Sequence, residues 1–344
     1  MRNEQQAAVA FPTQIDLISA RHPQVGRAHG MFGQVRTHRS PTGATLGWRH
    51  LGAAGEPQGI LVISHGLAEH SGRYARFAEA MAGQGFHVYA HDHRGHGTSC
   101  APDACPAMFA QRDGAAKVVA DLRALRDMAV ASQPGLPVVL FGHSMGGLIA
   151  LNAAETDPEL YDALAVWNSN FRPGLAGRGG QLLLAIEKML KGSDVPSPLV
   201  TKLTFGAWST SIADRQTDFD WLSRDKSEVA KYLEDPLCGF DPTVSLWLDV
   251  FAFAFAGARS DRLSRLPSSL PVYLVGGSAD PSTLNGEAVR WLGNRMKARG
   301  MTDVTIVIHE GMRHETLNEI GREKAMTEFA AWCLKAVGGK RHRP

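Results

Sequence analysis

The stretch VVLFGHSMGG (residues 138–147) constrains this chain more than any other. Four apolar residues run into a serine set between glycines, and a helical pattern starts at once. Glycine and serine are ordinary turn residues, so a plain turn would account for them. The sharper reading is a nucleophile at the apex of a strand-to-helix elbow, where strain exposes the side chain. Small residues two before and two after the apex, here Gly142 and Gly146, let the helix close on the strand. A serine so placed does nothing alone, and the choice between the readings depends on partners elsewhere in the chain.

Strand-like and helix-like segments alternate around this elbow. Residues 59–64 (GILVIS) read as a buried strand, followed by Tyr74, Phe77, Ala78 and Met81 at helical spacing. The stretch FHVYAHD is the next strand. Residues 113–132 form an amphipathic helix with Val118, Val119, Leu122, Leu125 and Ala129 on one face. The elbow strand and a buried helix over 145–155 follow, then the strand DALAVWNS. Strand 271–277, helix 286–299, strand 303–310 and a C-terminal helix complete the series. The pattern predicts an α/β fold with a mostly parallel central sheet and helices on both faces. In such sheets the working residues gather in loops at the carboxyl ends of the strands.

Between 170 and 266 the alternation stops. The segment is rich in Leu, Trp and Phe and too long for a structureless loop, so it reads as an inserted helical cap. Its most apolar part, SLWLDVFAFAFAGA, is ambiguous: Phe251, Phe253 and Phe255 alternate like a strand within helical surroundings. It packs as core, or it lines an acyl-chain pocket or a membrane-facing lid. The expected division is an extension over 1–35, a core over 36–169 and 267–338, the cap over 170–266 and a basic tail over 339–344. An antiparallel strand pair is expected over roughly 33–50, at the start of the core.

With 36 basic and 34 acidic residues the net charge is +2, which leaves no electrostatic footprint for nucleic acid. The N-terminal stretch lacks the apolar run of a signal peptide, and no 18-residue apolar run predicts a membrane span. Four cysteines read as reduced thiols of a cytoplasmic protein, with a Cys100–Cys105 bridge left open. His91, His93 and His96 have ligand-like spacing. A metallohydrolase of the His-x-His-x-Asp-His kind would need an aspartate where Gly95 stands, and no later cluster completes the set. Gly95 and Gly97 would open a dinucleotide fingerprint, but Cys100 occupies the third glycine position.

A serine hydroxyl needs a histidine to take its proton and an acid to orient that histidine. His314 lies beyond the last strand and before a helix. His309 competes, but it sits within the strand. Asp280 stands at the carboxyl end of the preceding strand, in Gly276-Gly277-Ser278-Ala279-Asp280-Pro281. Asp-Pro also begins helices well, so alone it would read as a cap. The other place for an acid, after DALAVW, holds Asn168, Ser169 and Asn170, none of them charged. Ser144, Asp280 and His314 thus follow in order, each at its own strand end. The helix start after Ser144 offers the Met145 amide to an oxyanion, and the turn His65-Gly66 offers the Leu67 amide as a second donor.

The motifs HGLAEHSGRY, AHDHRGHGTS, GHSMGG, GGSADP and GMRHETLNE resemble the α/β-hydrolase family of monoacylglycerol lipases and bacterial lysophospholipases. The resemblance runs from about residue 45 to 335, and LEDPLCGF (233–240) resembles a segment of its bacterial members. It implies Ser144 as nucleophile, Asp280 as acid and His314 as base, with the amides of Leu67 and Met145 as the oxyanion hole. It also implies that Glu69 and Arg73 line the pocket for the polar end of the substrate. The expected activity is hydrolysis of single-chain lipid esters through an acyl-enzyme, with no metal or organic cofactor. The same triad would serve a peptidase, thioesterase or acyltransferase, and a non-catalytic ligand-binding scaffold is the alternative of another class. Beyond the substrate, a transient contact of the cap with a membrane surface is the partner this reading allows.

Overall fold

The computed structural model describes residues 31–338. Most of the expected N-terminal extension, and the whole basic tail, lie outside the described residues. Eight strands form one sheet in the order β1-β2-β4-β3-β5-β6-β7-β8. They are β1 (Arg36–Arg39), β2 (Thr45–Leu51), β3 (Gly59–Ser64), β4 (Phe86–His91), β5 (Val138–His143), β6 (Ala163–Trp167), β7 (Val272–Gly277) and β8 (Val304–His309). The first pair is antiparallel, as expected near residues 33–50, and β2 pairs antiparallel with β4. Every later pairing is parallel.

Every residue of β3, β5, β6 and β7 is buried, which is why these strands read as continuous apolar runs. Alternate side chains serve two cores. Ile60, Val62, Leu140 and Leu164 pack on one side with helices α2 (Gly114–Ser132), α3 (Met145–Thr156) and α9 (Glu287–Ala298). Leu61, Ile63, Phe141 and Trp167 pack on the other with α1 (Ala75–Ala82) and α10 (Arg322–Gly338). The chain leaves β3 toward β4 and later returns to β5 on its opposite side. The loops after β3 and β5 therefore diverge at their carboxyl ends and open a crevice, the usual place for a ligand in such sheets.

Between β6 and β7 the regular elements are helical: α4 (Gly174–Lys191), α5 (Pro198–Thr201), α6 (Lys226–Glu234), α7 (Val244–Ala256) and α8 (Ser260–Leu263). After α5 the chain runs on through a π-helical stretch, Lys202–Gly206, into the short helix Ala207–Thr210. These helices have their own apolar cluster, in which Leu184, Phe205, Trp221, Tyr232 and Trp247 are buried together. The ambiguous segment is helix α7, with the Thr243 hydroxyl accepting from the Leu246 amide at its start. Helical geometry sends its phenylalanines in different directions. Phe253 enters the sheet-side core, Phe251 lines a cavity, and Phe255 lies under the Arg178 guanidinium at 3.9 Å. All four cysteines are free, so Cys100 and Cys105 are not bridged.

Candidate active site

β5 ends at His143 and α3 begins at Met145, so Ser144 alone makes the turn, with φ 54° and ψ −120°. Such a conformation is strained for a residue with a side chain and persists only where its surroundings over-determine it. Here the Ser144 amide donates to Trp167 O at 2.8 Å, and Ser169 Oγ donates to Ser144 O at 2.8 Å. The flanking glycines are required by contact. A Cβ on Gly142 would stand 2.2 Å from Gly146 O, and one on Gly146 would stand 2.0 Å from Ser64 O.

His314 is buried in the loop after β8, with Nε2 3.0 Å from Ser144 Oγ. Its Nδ1 lies 3.1 and 3.2 Å from the two carboxylate oxygens of Asp280. Asp280 also accepts bonds from Asn168 Nδ2 at 2.9 Å, the Ser282 amide at 3.0 Å and Thr283 Oγ1 at 2.8 Å. Burial pushes this carboxyl up, but His314 and the hydrogen bonds outweigh it and hold it below the usual carboxylate range. His309 ends β8 and makes no contact with Ser144.

The amides of Leu67 and Met145 donate to no protein acceptor among the described residues, and both residues line the same cavity as Ser144. The turn that carries Leu67 is held on both sides. Glu69 Oε1 accepts the Gly66 amide at 2.5 Å, and Ala68 O accepts Tyr232 Oη at 2.9 Å. The cavity measures about 520 Å³. Its polar floor is Ser144 and His314, and its walls are apolar, chiefly Leu148, Phe205, Trp208, Trp247 and Phe251. The Trp221 ring lies 5.0 Å from the His314 ring, and the backbone of Trp221 and Leu222 accepts bonds from the amides of His314 and Glu315. The segment between β6 and β7 therefore packs directly on the histidine.

Over residues 55–321 the sequence matches the family described as Serine aminopeptidase, S33. That span takes in most of the chain and every residue of the site. The chain belongs to this family. Human monoglyceride lipase is 30% identical to this hydrolase over 287 residues, 81% of this chain and 82% of the human protein. The monoglyceride lipase homolog of monkeypox virus is 33% identical over 284 residues, 82% of this chain and 91% of the viral one. The solved structure of Paleococcus ferrophilus monoacylglycerol lipase matches with a TM-score of 0.66 at 25% identity, over 85% of this chain and 99% of that one. The fold is that of the α/β-hydrolases.

Within this S33-family hydrolase Glu69 and Arg73 do not share a position. Glu69 lines the cavity, whereas Arg73 stands behind it and is absent from the lining. Arg73 binds Glu315 through two bonds, at 2.5 and 2.7 Å, and Glu69 at 2.7 Å. Two carboxylates hold its Nη1 and Nη2 nitrogens.

Ser282 escaped sequence reasoning. Its hydroxyl donates to Asp280 Oδ1 at 2.7 Å and lies 2.7 Å from His314 Nδ1, closer than either Asp280 oxygen. A serine two residues after the acid was the available signal, but Asp-Pro-Ser reads first as a turn. Asn168, set aside there for lacking charge, instead donates to Asp280.

The histidines of HDHRGH are buried, and their nitrogens do not converge on a common point. The three-donor group among the described residues is His70, Asp235 and Cys238. His70 Nδ1 accepts the Gly72 amide, so its Nε2 carries the proton and donates to Asp235 Oδ2 at 2.8 Å. That nitrogen has no lone pair for a cation.

No helix among the described residues is long and apolar enough to cross a membrane.

Proposed function

We propose that this protein hydrolyses single-chain lipid esters, monoacylglycerols or lysophospholipids, through an acyl-enzyme on Ser144. The observation that carries the reading is the hydrogen-bonded line Ser144–His314–Asp280 at the floor of an apolar cavity. His314 Nε2 takes the Ser144 proton as Oγ attacks the ester carbonyl. The oxyanion is held by the Leu67 and Met145 amides, the second at the positive end of α3. His314 then passes the proton to the leaving alcohol, and water repeats the sequence to release the acid and free Ser144. The relatives named as monoglyceride lipases support the substrate class.

The β6–β7 helices act as a cap in this reading. Leu175 is 90% exposed, and Leu182, Met189 and Leu190 on α4 and Leu203 in the π-helical stretch after α5 are also exposed. A transient contact of this face with a membrane surface accounts for so much apolar exposure. Four free thiols support a reducing compartment such as the cytoplasm in this reading.

The test is kcat/KM for monoacylglycerols from acetyl to palmitoyl, below their aggregation limits, with fluorophosphonate labelling to identify the nucleophile. Each methylene buried in the cavity contributes about 0.8 kcal/mol, about fourfold, until the cavity is full. Labelling is expected at Ser144, with specificity rising to a plateau. A steady decline from acetyl onward, or labelling at another serine, overturns the reading. Faster turnover of amides or thioesters would favour the peptidase or thioesterase alternative.

A further inference from the structure

His143 precedes Ser144, is buried, and has its two ring nitrogens facing acceptors. Nε2 lies 3.2 Å from His314 O, a carbonyl that can only accept. Nδ1 lies 3.4 Å from Glu69 Oε1. That carboxylate already takes the Gly66 amide and Tyr74 Oη on Oε1, and Arg73 on Oε2. With two donors on Oε1 and a guanidinium on Oε2, Glu69 is ionised. A neutral imidazole would set a bare lone pair against one of these two acceptors. Charge counting agrees. Glu69 and Glu315 share one cation, Arg73, and a second is needed to balance the buried group.

We propose that His143 carries both ring protons and acts as a positioning residue. As an imidazolium it ties the Gly66–Leu67 turn, through Glu69, to the backbone of the loop that holds His314. The inference rests on the reading of Ser144 as nucleophile and Leu67 as oxyanion donor, and adds what keeps those two loops in register.

The other groups around the ring do not supply that cation. His65 accepts the His93 amide on Nε2 and donates from Nδ1 to Gly66 O, so it is neutral. Tyr74 donates its proton to Glu69, and Tyr232 donates its own to Ala68 O. Burial pushes the Cys238 thiol, near Arg73, far up and keeps it uncharged. His314 turns its nitrogens to Ser144 and Asp280. Burial also works against charge on His143. Its bond and ion pair with Glu69, then Glu315 and the His314 carbonyl, outweigh burial and hold the ring above the ordinary histidine value.

Loss of that proton at alkaline pH breaks the tie, so turnover should fall along the same titration. The test uses the full chain with ring nitrogens labelled by 15N, the His143 signals being assigned by their loss in His143→Gln. Both His143 nitrogens are expected to be protonated at neutral pH, and Glu69→Gln should move the alkaline titration down by about 1–3 pH units. On a soluble p-nitrophenyl ester, kcat of H143Q should fall roughly ten- to a hundredfold, as loosened positioning allows. KM should barely move, and the alkaline fall should vanish from the profile. The spectrum needs no turnover, so it decides the protonation state even if ester hydrolysis proves wrong. Should H143Q not fold, the ring whose alkaline titration moves in E69Q identifies His143, because burial holds His65 and His96, the other rings that feel Glu69, well below the ordinary histidine value. One unprotonated nitrogen at neutral pH, or an alkaline limb retained in H143Q, overturns the proposal.

Discussion

Replacing Gly146 with alanine tests whether the approach of α3 to the sheet sets the rate. The new Cβ would stand 2.0 Å from Ser64 O and 2.4 Å from His65 O. Both are backbone atoms, one in a strand buried on both faces, and neither can swing aside as a side chain would. Tolerable contacts begin near 3.0 Å, so α3 and β3 have to part by about 1 Å. Ser144 heads α3 and Leu67 lies two residues after His65, so the parting separates what the proposed mechanism uses as nucleophile from one of its two oxyanion donors. A misplacement of about 1 Å costs about a hundredfold in rate, and overpacking of this kind costs about 1–3 kcal/mol of stability. The expected result is a folded enzyme with a lower melting temperature and kcat/KM reduced about a hundredfold on a soluble p-nitrophenyl ester. Gly52→Ala is the control, because nothing lies within 4 Å of a Cβ there and the backbone is not left-handed. A G146A enzyme with wild-type kcat/KM would refute the reasoning, since the elbow would then have slack that the contacts deny.

Asp280→Asn should keep the fold, because an amide oxygen in the place of Oδ2 still accepts from Asn168 and Thr283, but lower kcat by about ten-thousandfold through the wrong His314 tautomer; steady-state kinetics with circular dichroism checks both halves. Ser282→Ala removes the hydroxyl that donates to the Asp280 carboxylate and meets His314 Nδ1, and should lower kcat about ten- to a hundredfold; an unchanged kcat would mean that the hydroxyl only fills space. Asp249 on α7 accepts the Ala115 amide at the start of α2, and burial pushes its carboxyl up to about 7. The folded chain thus holds this proton to higher pH than the unfolded chain, so the group lowers stability as pH rises from about 4 to 7. Asp249→Asn should be about 1–2 kcal/mol more stable than the wild type near pH 8, allowing for partial exposure, and match it near pH 4; urea melts at the two pH values decide it.

Much of the fold was legible because a parallel sheet covered on both faces leaves uniform apolar strands separated by amphipathic helices. Ser144, Asp280 and His314 could be picked out because each follows a strand. Parallel pairing carries all strand ends to one edge, so residues 136 and 34 positions apart in the chain meet there. What lay beyond sequence reasoning depends on which atom faces which. Ser282 reads as a turn residue until its hydroxyl is seen between His314 and Asp280. That Glu69 and Glu315 share the Arg73 guanidinium, Glu315 from 242 residues away, leaves no mark in the local sequence. His143 reads as spacing beside a serine until its ring is found between Glu69 and a carbonyl 171 residues on. Periodicity records only whether a residue is buried and on which side. Hydrogen bonds act over about 3 Å and depend on angle, so the partners of a polar group are chosen only when distant segments are packed to their final places.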